Sequence, residues 1–291
     1  MEPKRVALAA LAILVLAWAF APAARGVLLV RHGGSAFSAN MTGYPFEQVT
    51  FTARDGVRLS GTLVTAPAAA GTVILVHGFK SGRGEMLDWL QFLYPTYTVL
   101  LFDSRGTGSS DGVFGAGATE DRDILGAVDL IASRKLPGSD RVAVLGISLG
   151  AGDAILAGGA DDRIRAVVAD SPWIDEFVQI ERMSTLPVGP LSVPLLPYEP
   201  ALVDALIGGR LEGALPIVAA TKIPPRRLLL IHALDDGNAT TPVAGSQRIM
   251  HVAGDPTELW LVPSGGHVGA IRSAHDEYVS RVMTFLRIAL Q

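Results

Sequence analysis

Along the chain, continuous apolar runs of five or six residues alternate with stretches whose apolar positions recur every three or four residues. The first kind reads as a strand buried on both faces, the second as a helix laid over it. Buried strands are predicted at Thr72–His77, Tyr97–Phe102, Val142–Ile147, Ile164–Asp170, Leu228–His232 and Thr257–Val262. Helices are predicted from about Glu85 to Phe92, from Glu120 to Arg134 with Ile124, Leu125, Val128 and Ile131 on one side, and from Ala274 to Leu290. Ahead of these, alternating apolar and polar residues in Glu47–Thr52 and Val57–Leu63 flank Asp55-Gly56, the pattern of a β-hairpin. Strands alternating with helices imply right-handed crossovers and a mostly parallel sheet covered on both faces, an α/β architecture with its chemistry at the strands' carboxyl ends.

Two stretches break the rhythm. From Val6 to Ala24 no residue is charged, and Lys4 and Arg5 stand just before the run. As a helix it would span about 28 Å, close to the thickness of a bilayer's hydrocarbon core. Residues 1–25 are therefore expected to be a membrane anchor, or a signal segment cut near Ala21-Pro-Ala23. Basic residues on its amino side hold that end in the cytoplasm, so the rest is expected to lie outside, either anchored or, after cleavage, secreted or periplasmic. Residues 26–45 contain a polar, glycine-bearing stretch and are expected to be a linker to a folded domain at 46–291. The second departure, 174–225, holds eight of the 18 prolines. Proline excludes a central strand and breaks a long helix, so this segment is expected to be a cap or lid inserted over the sheet's carboxyl edge.

Composition narrows the function further. A single domain within 291 residues buries about 75% of its unfolded surface and needs no covalent staples. There is no cysteine, which excludes disulfides and thiolate metal sites. Net charge is −4 with the 24 basic residues dispersed, so no footprint for nucleic acid exists. No His-Glu-x-x-His pattern offers a metal site. Arg105-Gly-Thr-Gly108 lacks the third glycine of a dinucleotide loop and opens no helix, so no cofactor is expected.

The chemistry centres on Gly146-Ile-Ser148-Leu-Gly150, where a buried strand turns sharply into a helix. Glycines on either side relieve the crowding, and the serine hydroxyl is raised beside a helix N-terminus whose unpaired N–H groups favour negative charge. A serine hydroxyl needs a base to take its proton, and a histidine base needs a carboxylate to hold its tautomer. His267, in the glycine-rich loop after the sixth strand, is the candidate base. Asp236, after the fifth strand, is the candidate acid, with Asp235 and Asp170 as alternatives. His77 and His232 end strands and are expected to make structural hydrogen bonds. An oxyanion hole would use the backbone N–H groups of Leu149 and Phe79, and Trp173 would line an acyl pocket.

From about residue 46 the chain resembles the α/β-hydrolases. Val76-His-Gly-Phe79 is similar to that family's His-Gly oxyanion loop, Asp103-Ser-Arg-Gly-Thr-Gly-Ser-Ser110 to its Asp-x-Arg-Gly-x-Gly-x-Ser loop, and the serine turn to its nucleophile elbow. Arg54-Asp-Gly-Val-Arg-Leu59 resembles the opening hairpin of membrane-anchored esterases and dipeptidyl-peptidase-like members. Two departures from the family's pattern are His232-Ala233 in place of His-Gly and the wide spacing from Asp236 to Pro242. The resemblance implies an acyl-enzyme serine hydrolase acting on a small or lipid-like ester or thioester. The alternatives are a peptidase, a lipid-thioester deacylase, or a membrane-anchored protein that binds a ligand in the capped pocket without turnover.

Overall fold

A computed structural model describes residues 3–31, 33–37, 41, 43–175, 185–194, 199–208 and 211–291. Its centre is an eight-stranded sheet in the order β1-β2-β4-β3-β5-β6-β9-β10. Strands β1 (Phe46–Thr52) and β2 (Arg58–Val64) form the expected antiparallel hairpin, and β2 runs antiparallel to β4 (Thr98–Asp103). From there β3 (Thr72–Val76), β5 (Val142–Ile147), β6 (Ile164–Asp170), β9 (Arg227–Ala233) and β10 (Glu258–Val262) continue in parallel.

The apolar runs are continuous because both faces of the inner strands are covered: β3, β4 and β5 are buried at every position. Against one face, α2 (Leu87–Leu93) and α9 (His275–Ala289) pack Trp89, Leu90, Tyr278, Val282 and Phe285. Against the other, α3 (Asp121–Arg134) and α4 (Leu149–Ala160) pack Ile124, Val128, Ala154 and Ile155. This is the mostly parallel, doubly covered sheet that the periodicity predicts.

Within the proline-rich insertion, β7 (Thr185–Val188) and β8 (Leu191–Pro194) pair with each other as a separate two-stranded sheet. Pro187 and Pro194 thus sit in strands that have one partner each, where a missing N–H is tolerated. Next come α5 (Glu199–Leu206) and a single turn, α6 (Pro216–Ala219), which carries its proline at the helix start. Residues 176–184, 195–198, 209 and 210 of the expected cap lie outside the described residues. After the insertion come α7 (Val243–Ala253), following β9, and the short α8 (Ala270–Ser273), just ahead of α9.

The N-terminal region differs from expectation in two respects. Helix α1 runs from Pro3 to Val30, past the boundary expected at residue 25, because the apolar Val27-Leu-Leu-Val30 continues it. Most of α1 stands exposed, but Pro22, Gly26, Leu29 and Val30 are buried. The stretch after it, expected to be a linker, is held to the domain: Gly33 pairs with Thr107, donating to the Gly106 carbonyl and accepting from the Gly108 N–H. A short glycine backbone between Lys80 and Ser81 on one side and the 106–108 loop on the other leaves no space for a side chain there.

Candidate active site

The turn after β5 carries the strain that its sequence predicts. Ser148 has φ 52° and ψ −115°, outside the usual regions for a residue with a Cβ. A Cβ on Gly146 would fall 2.0 Å from the Gly150 carbonyl oxygen, and one on Gly150 would fall 2.5 Å from that of His77. Only glycine at both places lets β5 and α4 meet at this angle, and the turn aims the Ser148 side chain away from the sheet edge.

His267 reaches back from the loop after β10, with Nε2 2.8 Å from Ser148 Oγ and Nδ1 2.8 Å from Asp236 Oδ2. With the carboxylate accepting at Nδ1–H, Nε2 is left as the acceptor for the serine proton. The Asp236 carboxyl is buried, which alone would raise its pKa, but hydrogen bonds from His232, His267 and the Asn238 N–H outweigh this and hold it well below the usual carboxylate range.

His232 makes the hydrogen bond expected of a strand-end histidine, and its partner is Asp236. Fully buried, it places Nε2 3.0 Å from Asp236 Oδ2 and Nδ1 2.8 Å from Ser246 Oγ. Neither alternative acid touches His267. Asp235 turns outward and accepts the Gly266 N–H at 2.8 Å, which tethers the loop carrying His267. Asp170, at the end of β6, is wholly buried and accepts from Ser171 Oγ at 3.0 Å and Tyr278 Oη at 3.1 Å. Burial raises its pKa to about 6 despite those bonds.

Phe79 and Leu149, the residues expected to supply the two amides, line the same cavity as Ser148. Among the described residues, nothing accepts from the N–H of Phe79 or of Leu149. The Phe79 loop is fixed from behind: buried His77 lies 2.8 Å from the Gly78 carbonyl through Nδ1 and accepts from the Ser104 N–H at Nε2, while Glu85 accepts the Gly78 N–H. Burial lowers the His77 pKa, in keeping with a neutral ring in that role. Sequence reasoning had no signal for Glu85, since a glutamate seven residues from its partner in a loop has no periodic meaning.

Trp173 is fully buried, and its indole N–H donates to the Leu149 carbonyl at 2.9 Å. It forms part of the wall of a cavity of about 490 Å³ that also includes Ser148, His267, Phe79 and Leu149. Among the described residues no cluster of His, Asp and Glu could hold a metal ion. What the arrangement can do chemically is transfer an acyl group: a hydroxyl lies 2.8 Å from a base, a carboxylate lies behind the base, and the residues carrying two unpaired N–H groups line the same cavity.

Comparison with known proteins agrees on the chemical class. A family model for X-Pro dipeptidyl-peptidase (S15 family) matches residues 55–189. The uncharacterized protein YfhR of Escherichia coli O157:H7 is 30% identical over 255 residues, spanning 84% of this chain and 81% of that protein. Thiohydrolase apmlB of Arthrinium phaeospermum is 30% identical over 131 residues, 43% of each chain. Among solved structures, the Pyrococcus furiosus esterase Pf2001 superposes with a TM-score of 0.71 at 26% identity, covering 90% of this chain and 100% of that one.

Proposed function

Because the chain belongs to the α/β-hydrolase family, we propose that it is a serine hydrolase that cleaves a carboxylic ester or thioester through an acyl-enzyme. The observation that carries this reading is the unbroken line from Ser148 Oγ to His267 Nε2 and from His267 Nδ1 to Asp236 Oδ2, 2.8 Å at each step.

On this reading Ser148 Oγ attacks the substrate carbonyl while His267 takes its proton. The carbonyl oxygen gains negative charge and is met by the N–H groups of Phe79 and Leu149, which have no competing partner to release first. His267 returns the proton to the departing alcohol or thiol, leaving an acyl-serine. Water then attacks with His267 as base, and the proton passes back to Ser148 as the acid leaves. Asp236 stays ionised throughout, orienting His267 and stabilising its imidazolium. In this reading α1 anchors the protein in a membrane, with Lys4 and Arg5 on the cytoplasmic side and the cavity on the other.

A peptidase is the second reading, favoured by the match of residues 55–189 to a dipeptidyl-peptidase model and by Glu85 and Asp88, carboxylates on the same cavity that could meet a peptide amine. The Glu85 carboxylate is already engaged by the Gly78 N–H, which favours the ester.

A fluorophosphonate probe and a panel of p-nitrophenyl esters and Xaa-Pro anilides test both readings. The wild-type protein is labelled at Ser148, and Ser148→Ala abolishes labelling and lowers ester turnover about a million-fold. Asp236→Asn lowers it about ten-thousand-fold, by analogy with other triads, and Asp235→Asn less than about tenfold. Full turnover by Ser148→Ala refutes the acyl-enzyme, and faster cleavage of anilides than of esters moves the assignment to a peptidase.

A further inference from the structure

Helix α1 is joined to the wall of the active site. Gly26 faces Leu202 and Val203 of α5 so closely that a Cβ there would already touch Leu202, and Arg25 pairs with buried Glu199 at 3.2 Å. Leu29 and Val30 share one apolar cluster with Val203, Phe114, Leu149 and Trp173, the last two being walls of the Ser148 cavity. The Val30 carbonyl accepts the Phe114 N–H, and Lys80 donates to the Leu28 carbonyl. The anchor is therefore packed directly against the catalytic edge.

Around this junction lies a rim unlike ordinary protein surface. Phe79 (43% exposed) packs its ring on Phe114, Val113 (48%) precedes Phe114, whose N–H bonds the Val30 carbonyl, and Leu206 (41%) ends α5, which packs on α1; Val27 and Leu28 of α1 are exposed as well. Two cations lie near this rim, Lys80 and Arg31, where partial burial and then the neighbouring Arg31 charge lower the Lys80 pKa. Exposed apolar side chains accompanied by basic groups match the boundary between acyl chains and anionic headgroups. Depth agrees: with Val6–Ala24 filling the hydrocarbon core, residues 25–30 rise about 9 Å further, through the headgroup layer. The Phe79 ring is both part of this rim and part of the lining of the cavity.

We infer that the substrate is a long-chain acyl ester of an amphiphile resident in the bilayer that holds α1, drawn into the Ser148 cavity across the rim formed by Phe79, Val113 and Leu206. This deepens the hydrolase reading and rests on it. A packed junction fixes the height of the cavity above the hydrocarbon, so an ester at headgroup level reaches Ser148 without leaving the membrane, while a substrate in solution gains nothing from the arrangement.

The test uses the full chain reconstituted in phosphatidylcholine–phosphatidylglycerol vesicles, with p-nitrophenyl palmitate dissolved either in the same vesicles or in separate ones, and p-nitrophenyl butyrate as the soluble reference. The palmitate is hydrolysed at least tenfold faster from the shared vesicles. The double variant Val113→Glu/Leu206→Glu, at exposed positions that leave the core untouched, lowers the ratio of shared-vesicle palmitate rate to butyrate rate at least tenfold. Gly26→Leu, which forces α1 off α5, lowers the same ratio. Equal rates from shared and separate vesicles, or a ratio that neither variant changes, overturns the inference while leaving the hydrolase intact. Turnover of neither ester overturns the hydrolase reading itself.

Discussion

His232 Nε2 lies 3.0 Å from Asp236 Oδ2, the same oxygen that His267 Nδ1 reaches at 2.8 Å. One carboxylate oxygen thus accepts from two imidazoles, and the other accepts the Asn238 N–H at 2.9 Å. The two rings are not equivalent. His232 is completely buried and backed by Ser246, whereas the His267 side chain keeps about a third of its exposure and faces the cavity. The inner ring holds the carboxylate, and the outer ring lies between that carboxylate and the Ser148 hydroxyl.

That division predicts the effect of removing the inner donor. His232→Phe keeps a ring in the space but leaves a buried anion short of one hydrogen bond, a loss of about 1.5–3 kcal/mol. Turnover of a p-nitrophenyl ester falls about ten- to a hundred-fold in kcat, with KM nearly unchanged because no substrate contact is lost. His232→Gln, whose amide can donate to Asp236, recovers much of that loss. In a Ser148→Ala background the His232 substitution has no further effect on the residual rate. A drop confined to KM, or no rescue by glutamine, removes His232 from the site.

The elbow makes a second prediction, about stability. Ordinarily alanine is preferred to glycine by about 0.5–1 kcal/mol, because glycine loses more freedom on folding. At Ser148, with φ 52° and ψ −115°, a Cβ costs about 1–3 kcal/mol that glycine does not incur. Ser148→Gly is therefore more stable than Ser148→Ala by about 1 kcal/mol, the reverse of the usual order, although both are inactive. Urea unfolding of the two variants measures the difference. The ordinary order would show that the turn relaxes once the hydroxyl is gone.

The strands were legible because each inner one is buried on both faces, which leaves an unbroken apolar run in the sequence. Ser148 and His267 were legible for a related reason: glycines around a lone polar group mark places where the backbone has no room. The choice between Asp235 and Asp236 was not decided by residue type. It depends on the turn after β9, where Leu234 donates to Val262 and Asp236 to Ala233, so that the second aspartate points inward and the first outward. The same turn brings His232 onto Asp236, four residues away, a proximity without a helical or strand period to announce it. The apolar character of Val27–Val30 was visible. Its docking was not, since the partners Leu202, Val203 and Phe114 come from distant parts of the chain.

Asp170 supplies the last prediction, in which the two buried aspartates of this edge behave oppositely. Burial raises its pKa from 3.8 to about 6, because the bonds from Ser171 and Tyr278 do not make up for lost hydration. Below about pH 3 it is protonated in both the folded and the unfolded chain. Between about pH 4 and 6 the unfolded chain releases the proton first, so stability falls as pH rises through this window and stays lower above it, by about 3 kcal/mol at 1.36 kcal/mol per unit. Asp236, whose pKa is depressed, contributes stability above the usual carboxylate range that is lost only in acid. Asp170→Asn removes the first titration and leaves the second in place. Its stability relative to wild type, from urea unfolding in detergent micelles, therefore rises by about 3 kcal/mol between pH 3 and pH 7, with the Asp236 contribution cancelling between the two proteins. A difference independent of pH would mean that Asp170 ionises in the folded protein as readily as in the unfolded chain.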